Sequence, residues 1–242
     1  MTSAPIVILS PHFDDAVVSA WHALTSDREV LVVNFFTAVP PEGLPLTMAD
    51  RLAGVSSSAE LVRMRHQEDR EALSLVGRDS ITLDFTEDQY RTEPVTAGQL
   101  RDALLAQVTS AASVLAPAAI GAHPDHELVR DVGLLLADNG WTVELYADMP
   151  YAVRYGWPEW MTGVDPGPHL HVEAWWQDFL DEITGRGHKL TQQVCDLGEA
   201  GSEAKLEAMK CHATQFQQLN NGIVNRLSNP LIRRYELSWQ VD

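Results

Sequence analysis

Pro5-Ile6-Val7-Ile8-Leu9-Ser10-Pro11-His12-Phe13-Asp14-Asp15 is the stretch that decides the fold of this chain. Four aliphatic residues in succession read as a strand buried on both faces, and the Pro with polar side chains behind it reads as the strand's carboxyl end. In open α/β sheets, ligands bind outside that end of the strands. One imidazole and two carboxylates are therefore delivered where chemistry is usual. Ala16 to Leu24 then shows helical spacing (Val17, Val18, Trp21, Leu24), which puts both Asp residues at a helix N-terminus. A single Asp there is ordinarily a cap; His-x-Asp-Asp behind a Pro is more than a cap requires.

The same pattern recurs once. The apolar run Val114 to Ile120 leads into His123-Pro124-Asp125-His126, followed by a helical pattern from Glu127 to Ala137. Further strands are expected at Glu29–Phe36, Ser80–Phe85 and Thr142–Tyr146, and further helices at Ala59–Val76, Thr96–Ala111 and Ser202–Leu219. Alternation of this kind specifies an α/β fold: a Rossmann-like, mainly parallel sheet with helices on both faces, in three layers. Pro40 to Ser58 reads as a long surface loop. The charges after it (Arg63, Arg65, Glu68, Asp69, Arg70, Glu71) read as the solvent face of their helix. Residues 150–242 are less regular, with a Trp-containing loop over Pro158–Pro168 and an edge strand expected at His169–Val172.

A length of 242 residues suits one domain spanning 1–242. The net charge of −17 provides no basic stripe, which argues against nucleic acid and anionic membranes as partners. Met1 to Ala4 runs directly into the first strand, and Cys195 and Cys211 are the only cysteines, so a cytoplasmic protein with free thiols is expected.

A catalytic zinc ion takes imidazole nitrogen and carboxylate oxygen, with three protein ligands and a water. His12, one of the two adjacent Asp residues, and His126 would supply the ligands, leaving the other Asp as general base. His123, in the same short turn as His126, fits better as a donor to an oxyanion, with Asp125 holding its imidazole charged and oriented. His22, His66, His169, His171 and His188 lack such a context.

Pro11-His12-Phe13-Asp14-Asp15 and His123-Pro124-Asp125-His126 resemble the two signatures of the LmbE/PIG-L family of zinc-dependent N-deacetylases, which act mostly on N-acetylglucosamine-containing substrates. Arg65-His66-Gln67-Glu68-Asp69, Tyr146-x-Asp148-x-Pro150-Tyr151 and Lys205-x-x-Ala208-x-x-x-His212-x-x-Gln215 are similar to weaker family motifs. The resemblance implies His12, Asp15 and His126 as zinc ligands, Asp14 as general base, His123 as oxyanion-stabilising acid supported by Asp125, and Arg65 as a substrate contact. Asp88, Arg91 and Tyr151 are further candidates for substrate binding, with the Trp157–Trp160 loop on the rim. Phe13 and Ala16 depart from the family's frequent Pro and Glu. Gly121 stands where mycothiol-pathway members carry Tyr.

The expected activity is hydrolytic removal of an acetyl or other acyl group from the nitrogen of an amino sugar or glycosylated small molecule. Iron(II) is the alternative cation, since the same ligands suit it, and homo-oligomerisation is left open. Two rivals stand beside this reading: an amidase of the same mechanism acting on a thiol-sugar conjugate, and a non-catalytic sugar- or nucleotide-binding module. The absence of Gly-x-Gly-x-x-Gly after the first strand weighs against the second.

Overall fold

The expected first strand, β1 (Ile6–Ser10), is buried at every position and lies beside the middle strand of a seven-stranded sheet. The structure is a computed structural model that describes residues 5–167, 171–220 and 227–242. After β1 come α1 (Asp15–Ser19), α2 (Trp21–Leu24), β2 (Val30–Asn34), α3 (Met48–Ala53), α4 (Ser58–Ser74) and β3 (Ser80–Thr82). The chain continues through α5 (Ala97–Gln107), β4 (Ser113–Pro117), α6 (Pro124–Asp138), β5 (Val143–Tyr146), α7 (Glu159–Thr162) and α8 (Val172–Gly185). It ends with β6 (Leu190–Asp196), α9 (Gly198–Cys211), α10 (Ala213–Leu219), α11 (Pro230–Arg233) and β7 (Tyr235–Val241).

The spatial order is β3-β2-β1-β4-β5-β7-β6. All neighbours from β3 to β5 are parallel, and β7 runs antiparallel to both β5 and β6. The chain leaves β1 toward β2 on one side and leaves β4 toward β5 on the other. A crevice therefore opens between the ends of β1 and β4, where the order of winding reverses. β1 and β4 pair directly, Ile8 beside Leu115, so the turns beyond them face each other.

The inner strands are buried on both faces, with Val7, Ile8, Leu9, Val32, Val33 and Leu145 at 0% exposure. α6 lies close against it because Gly133 has no side chain: a Cβ there would stand 2.7 Å from the Ala116 Cβ.

Several expectations change. The helix expected over 16–24 is two short ones, broken at Ala20. The loop of 40–58 contains α3, started by a reciprocal Thr47–Asp50 capping box. α4 does not present all its charges to solvent: Arg65, Glu68 and Asp69 are buried. The helix expected over 202–219 is α9 and α10, interrupted at His212. Of the edge strand expected at His169–Val172, residues 169 and 170 lie outside the described residues, and Val172 opens α8. The 150–242 third supplies two strands, β6 and β7, that alternation did not reveal. Cys195 and Cys211 are free thiols, and among the described residues no helix is long and apolar enough to cross a membrane.

β7 is fastened by a buried ion pair. Glu236 accepts from the Lys205 Nζ at 2.6 Å, from the backbone N–H groups of Trp21 and His22 at 2.9 Å each, and from His22 Nδ1 at 2.7 Å. One carboxylate thus joins β7, α9 and the start of α2. Burial on its own would raise the Glu236 carboxyl; the Lys205 charge and the His22 hydrogen bond outweigh it and hold the group at about 2. A depressed carboxyl contributes stability above its ordinary value of 4.5, and that stability is lost as pH falls toward 2. Glu236→Gln, which leaves Lys205 buried without its counter-charge, is expected to cost about 3–5 kcal/mol in urea unfolding at neutral pH. The variant is also expected to lose less further stability than wild type between neutral pH and about pH 3.

Candidate active site

The two turns bring His12, Asp15 and His126 together. His12 leaves the end of β1 with its backbone N–H bonded to Asp15 Oδ2 at 2.8 Å. Ser10 supports the turn, donating from its hydroxyl to the His12 carbonyl at 2.6 Å and accepting from the Ala16 N–H at 3.1 Å. His126 lies in the first turn of α6, which begins at Pro124 rather than Glu127, with His123 as its N-cap. His12 Nδ1 and His126 Nε2 each lie 3.4 Å from Asp15 Oδ2.

The far nitrogens of both rings are occupied by carboxylates. His12 Nε2 lies 3.1 Å from Asp125 Oδ2, and His126 Nδ1 lies 2.7 Å from Asp148 Oδ1. An imidazole that donates through one nitrogen presents a lone pair on the other, the arrangement that orients histidine ligands. One oxygen and two nitrogens, all within 4.8 Å of one another, therefore fit a divalent cation. His12, His123 and Asp125 also fall within that span, but Asp125 is already occupied by Arg91 Nη1 at 2.8 Å, by the Asp88 N–H at 3.0 Å and by His12.

Asp14 stands in the N-cap position of α1 but makes no side-chain capping bond, so capping does not explain it. It is 4% exposed. Burial, and then the neighbouring Asp15 charge, push its carboxyl up to about 6, near the value suited to a general base at neutral pH. Asp15 is driven the other way: burial would raise it, but His126 and His12 hold it well below the usual carboxylate range.

Asp125 does not meet His123 through its carboxylate. Its carboxylate is turned to His12, Arg91 and Asp88; its backbone N–H, not its side chain, meets His123, donating to Nδ1 at 3.2 Å. Burial, followed by His12 and His126, pushes the His123 imidazole down to about 3. With Nδ1 accepting, the neutral ring carries its proton on Nε2.

A cleft of about 240 Å³ opens at His12 and His123, lined also by Arg65, Glu87, Asp88 and Tyr151 together with Ala49 from α3 and Gln215 from α10. Arg65 donates through Nη1 to both oxygens of Glu87, at 3.1 and 3.2 Å. Arg91 faces Asp125 and packs over the Phe36 ring, 5.2 Å from its centroid, so it holds Asp125 rather than lining the cleft. Tyr151 covers the His126 ring at 5.8 Å and 88°. Gly121 makes room for it, since a Cβ at this position would stand 2.8 Å from the Tyr151 Cβ. Ala119, Gly121 and Ala122 all have positive φ, so the turn that delivers His123 stores backbone strain. The tryptophans expected on the rim are elsewhere: Trp157 is buried and donates to the Ile232 carbonyl, and Trp160 bonds Glu173 at the surface.

Sequence reasoning assigned no role to Asp148 or Glu87. Asp148 had a signal, an acid just past the end of a strand beside β4. Glu87 had none, because its meaning lies in its pairing with Arg65 across 22 residues.

The family model described as PIG-L, GlcNAc-PI de-N-acetylase, matches residues 7–137. The chain is similar to the solved zinc-inhibited form of a teicoplanin deacetylase, with 22% identity and a TM-score of 0.75 over 98% of each chain. It is also similar to the deacetylase of the antimicrobial A40926 pseudoaglycone, with 26% identity and a TM-score of 0.71 over 100% of this chain and 98% of that one. N,N'-diacetylchitobiose deacetylase from Pyrococcus horikoshii shares 17% identity and a TM-score of 0.56 over 99% and 84% of the two chains. No curated protein sequence matches the chain.

The geometry predicts that Asp148→Asn, which removes the charge behind His126, weakens binding of added zinc about 10–100-fold in a chelator competition. Circular dichroism of the variant is expected to match wild type.

Proposed function

Since the chain belongs to the PIG-L family of de-N-acetylases, we propose that it hydrolyses the N-acetyl group of an amino sugar or a glycosylated small molecule with the help of a divalent cation. The observation that carries this reading is the buried, non-capping Asp14 carboxylate beside the converging His12–Asp15–His126 donors. A sugar- or nucleotide-binding module has no use for such a group.

His12, Asp15 and His126 would hold the cation, which when bound supplies a Lewis acid for the amide carbonyl and lowers the pKa of water toward about 7. Two imidazoles, one carboxylate and an open position are the catalytic zinc set, so zinc is the cation proposed.

Asp14 takes the proton from the attacking water and returns it to the leaving amine, a double use suited to a carboxyl near 6. His123 donates from Nε2–H to the carbonyl oxygen as negative charge gathers there. A neutral donor suffices for this step, and the Asp125 N–H fixes its tautomer. Asp125 and Asp148 orient His12 and His126, and Tyr151 walls the cleft. Arg65, held by Glu87, and Asp88 line the cleft where the sugar would lie.

The test is amine release from N-acetylglucosaminides by protein loaded with one equivalent of zinc. Chelation is expected to abolish activity and zinc to restore it. Asp14→Asn is expected to lower kcat about 10²–10⁴-fold with zinc stoichiometry unchanged; undiminished turnover in that variant would overturn the mechanism.

A further inference from the structure

Gln215 has no part in the chemistry described so far. It lies on α10, is 9% exposed, and lines the same cleft as His12, Arg65 and His123. Its Oε1 is buried and has no hydrogen-bond partner among the described residues. Arg65, which lines the cleft with it, is in a matching state: Nη1 is paired with Glu87 while the buried Nε–H has no partner among the described residues. An unmet acceptor and an unmet donor thus belong to two residues that line one cavity.

α10 is held over the cleft by a specific contact. Glu68 lies three residues after Arg65 on α4, and therefore on the same face of that helix. It accepts from the Thr214 N–H at 2.9 Å and from the Thr214 hydroxyl at 2.7 Å. The residue immediately before Gln215 is thereby clamped to the helix that carries Arg65.

A buried amide oxygen without a partner is a destabilising feature, and native structures rarely keep one without a use. The terminal torsion of a glutamine is soft, so a small rotation turns Oε1 toward the cavity. The ligand group that satisfies an amide oxygen on one side and a guanidinium N–H on the other is a hydroxyl, which both donates and accepts. Resting on the deacetylase reading above, we propose that Gln215 is a substrate-binding residue. Its carboxamide accepts a hydrogen bond from a ring hydroxyl of the N-acetylated sugar, while the Arg65 Nε–H donates to the same hydroxyl or its neighbour. The substrate class is then a pyranoside whose hydroxyl at that position is free.

The test is kcat/KM of zinc-loaded, full-length wild type, Gln215→Leu and Gln215→Glu on methyl N-acetylglucosaminide and on analogues each lacking one ring hydroxyl. Wild type is expected to process one analogue about 10–100-fold less well than the parent, the effect of a single lost hydrogen bond in a buried site. Gln215→Leu should lose a similar factor on the parent and become indifferent to removal of that hydroxyl. Gln215→Glu, which keeps an acceptor, should retain the discrimination, and thermal unfolding of each variant confirms that it is folded. Equal losses of Gln215→Leu on every sugar, or wild-type discrimination that persists in it, would overturn the inference while leaving the deacetylase reading intact. Failure of wild type to release amine from any of the sugars would overturn that reading and this inference with it.

Discussion

The pairing of β1 with β4 is the constraint on which the site depends. Their residues are more than a hundred positions apart in sequence, yet Ile8 lies beside Leu115 in a parallel ladder. The register fixes where both strands end, and each strand runs directly into a stiff turn. His12 is tied back by its own N–H to Asp15, and His123 caps α6 through Asp125. No side chain has to reach across a distance to meet its partners. A slip by one residue would reverse which face each side chain presents and separate the donors.

Concentrating acid beside acid in a buried crevice is costly, and the structure divides that cost by giving each carboxylate a different neighbour. Asp15 is held ionised by two imidazoles, Asp125 by Arg91 and His12, and Asp148 receives a hydrogen bond from the Ile120 N–H at 3.0 Å as well as from His126. Asp14 lacks a cap bond, and burial together with the Asp15 charge raises its proton affinity; burial raises that of Asp148 as well. The assignment of base and ligand between two adjacent residues of the same type comes from that difference in surroundings. Residue type alone leaves it open.

The parts of the molecule legible in the sequence are those encoded locally. β1 and β4 announced themselves as apolar runs, and both clusters were visible because their residues are contiguous. The hidden parts depend on partners far along the chain. Arg65, Glu68 and Asp69 look like a solvated stripe until Glu87, Thr214 and Asn34 arrive beside them. Asp125 looked like the partner of His123 because it is two residues away; helical geometry turns its carboxylate toward Arg91 and His12 instead. β6, whose residues are mostly exposed, has no buried run to betray it. The break of the last long helix at His212 carried neither Gly nor Pro to mark it.

The family match ends at residue 137, but the cleft does not. Asp148 behind His126, Tyr151 over the imidazoles and Gln215 on α10 all come from beyond that point. The matched portion therefore contains the proposed cation ligands and base without the enclosure. Among the buried contacts that join the remainder to it are Glu236 with Lys205 at the start of α2, and Thr214 with Glu68 on α4. Both use charged or polar groups inside the protein, where a misplaced partner is penalised far more than at the surface. Such contacts fix the position of α10 more sharply than apolar packing alone would. A residue on α10 is consequently held against α4 by buried polar contacts, which is what the proposed sugar contact of Gln215 requires.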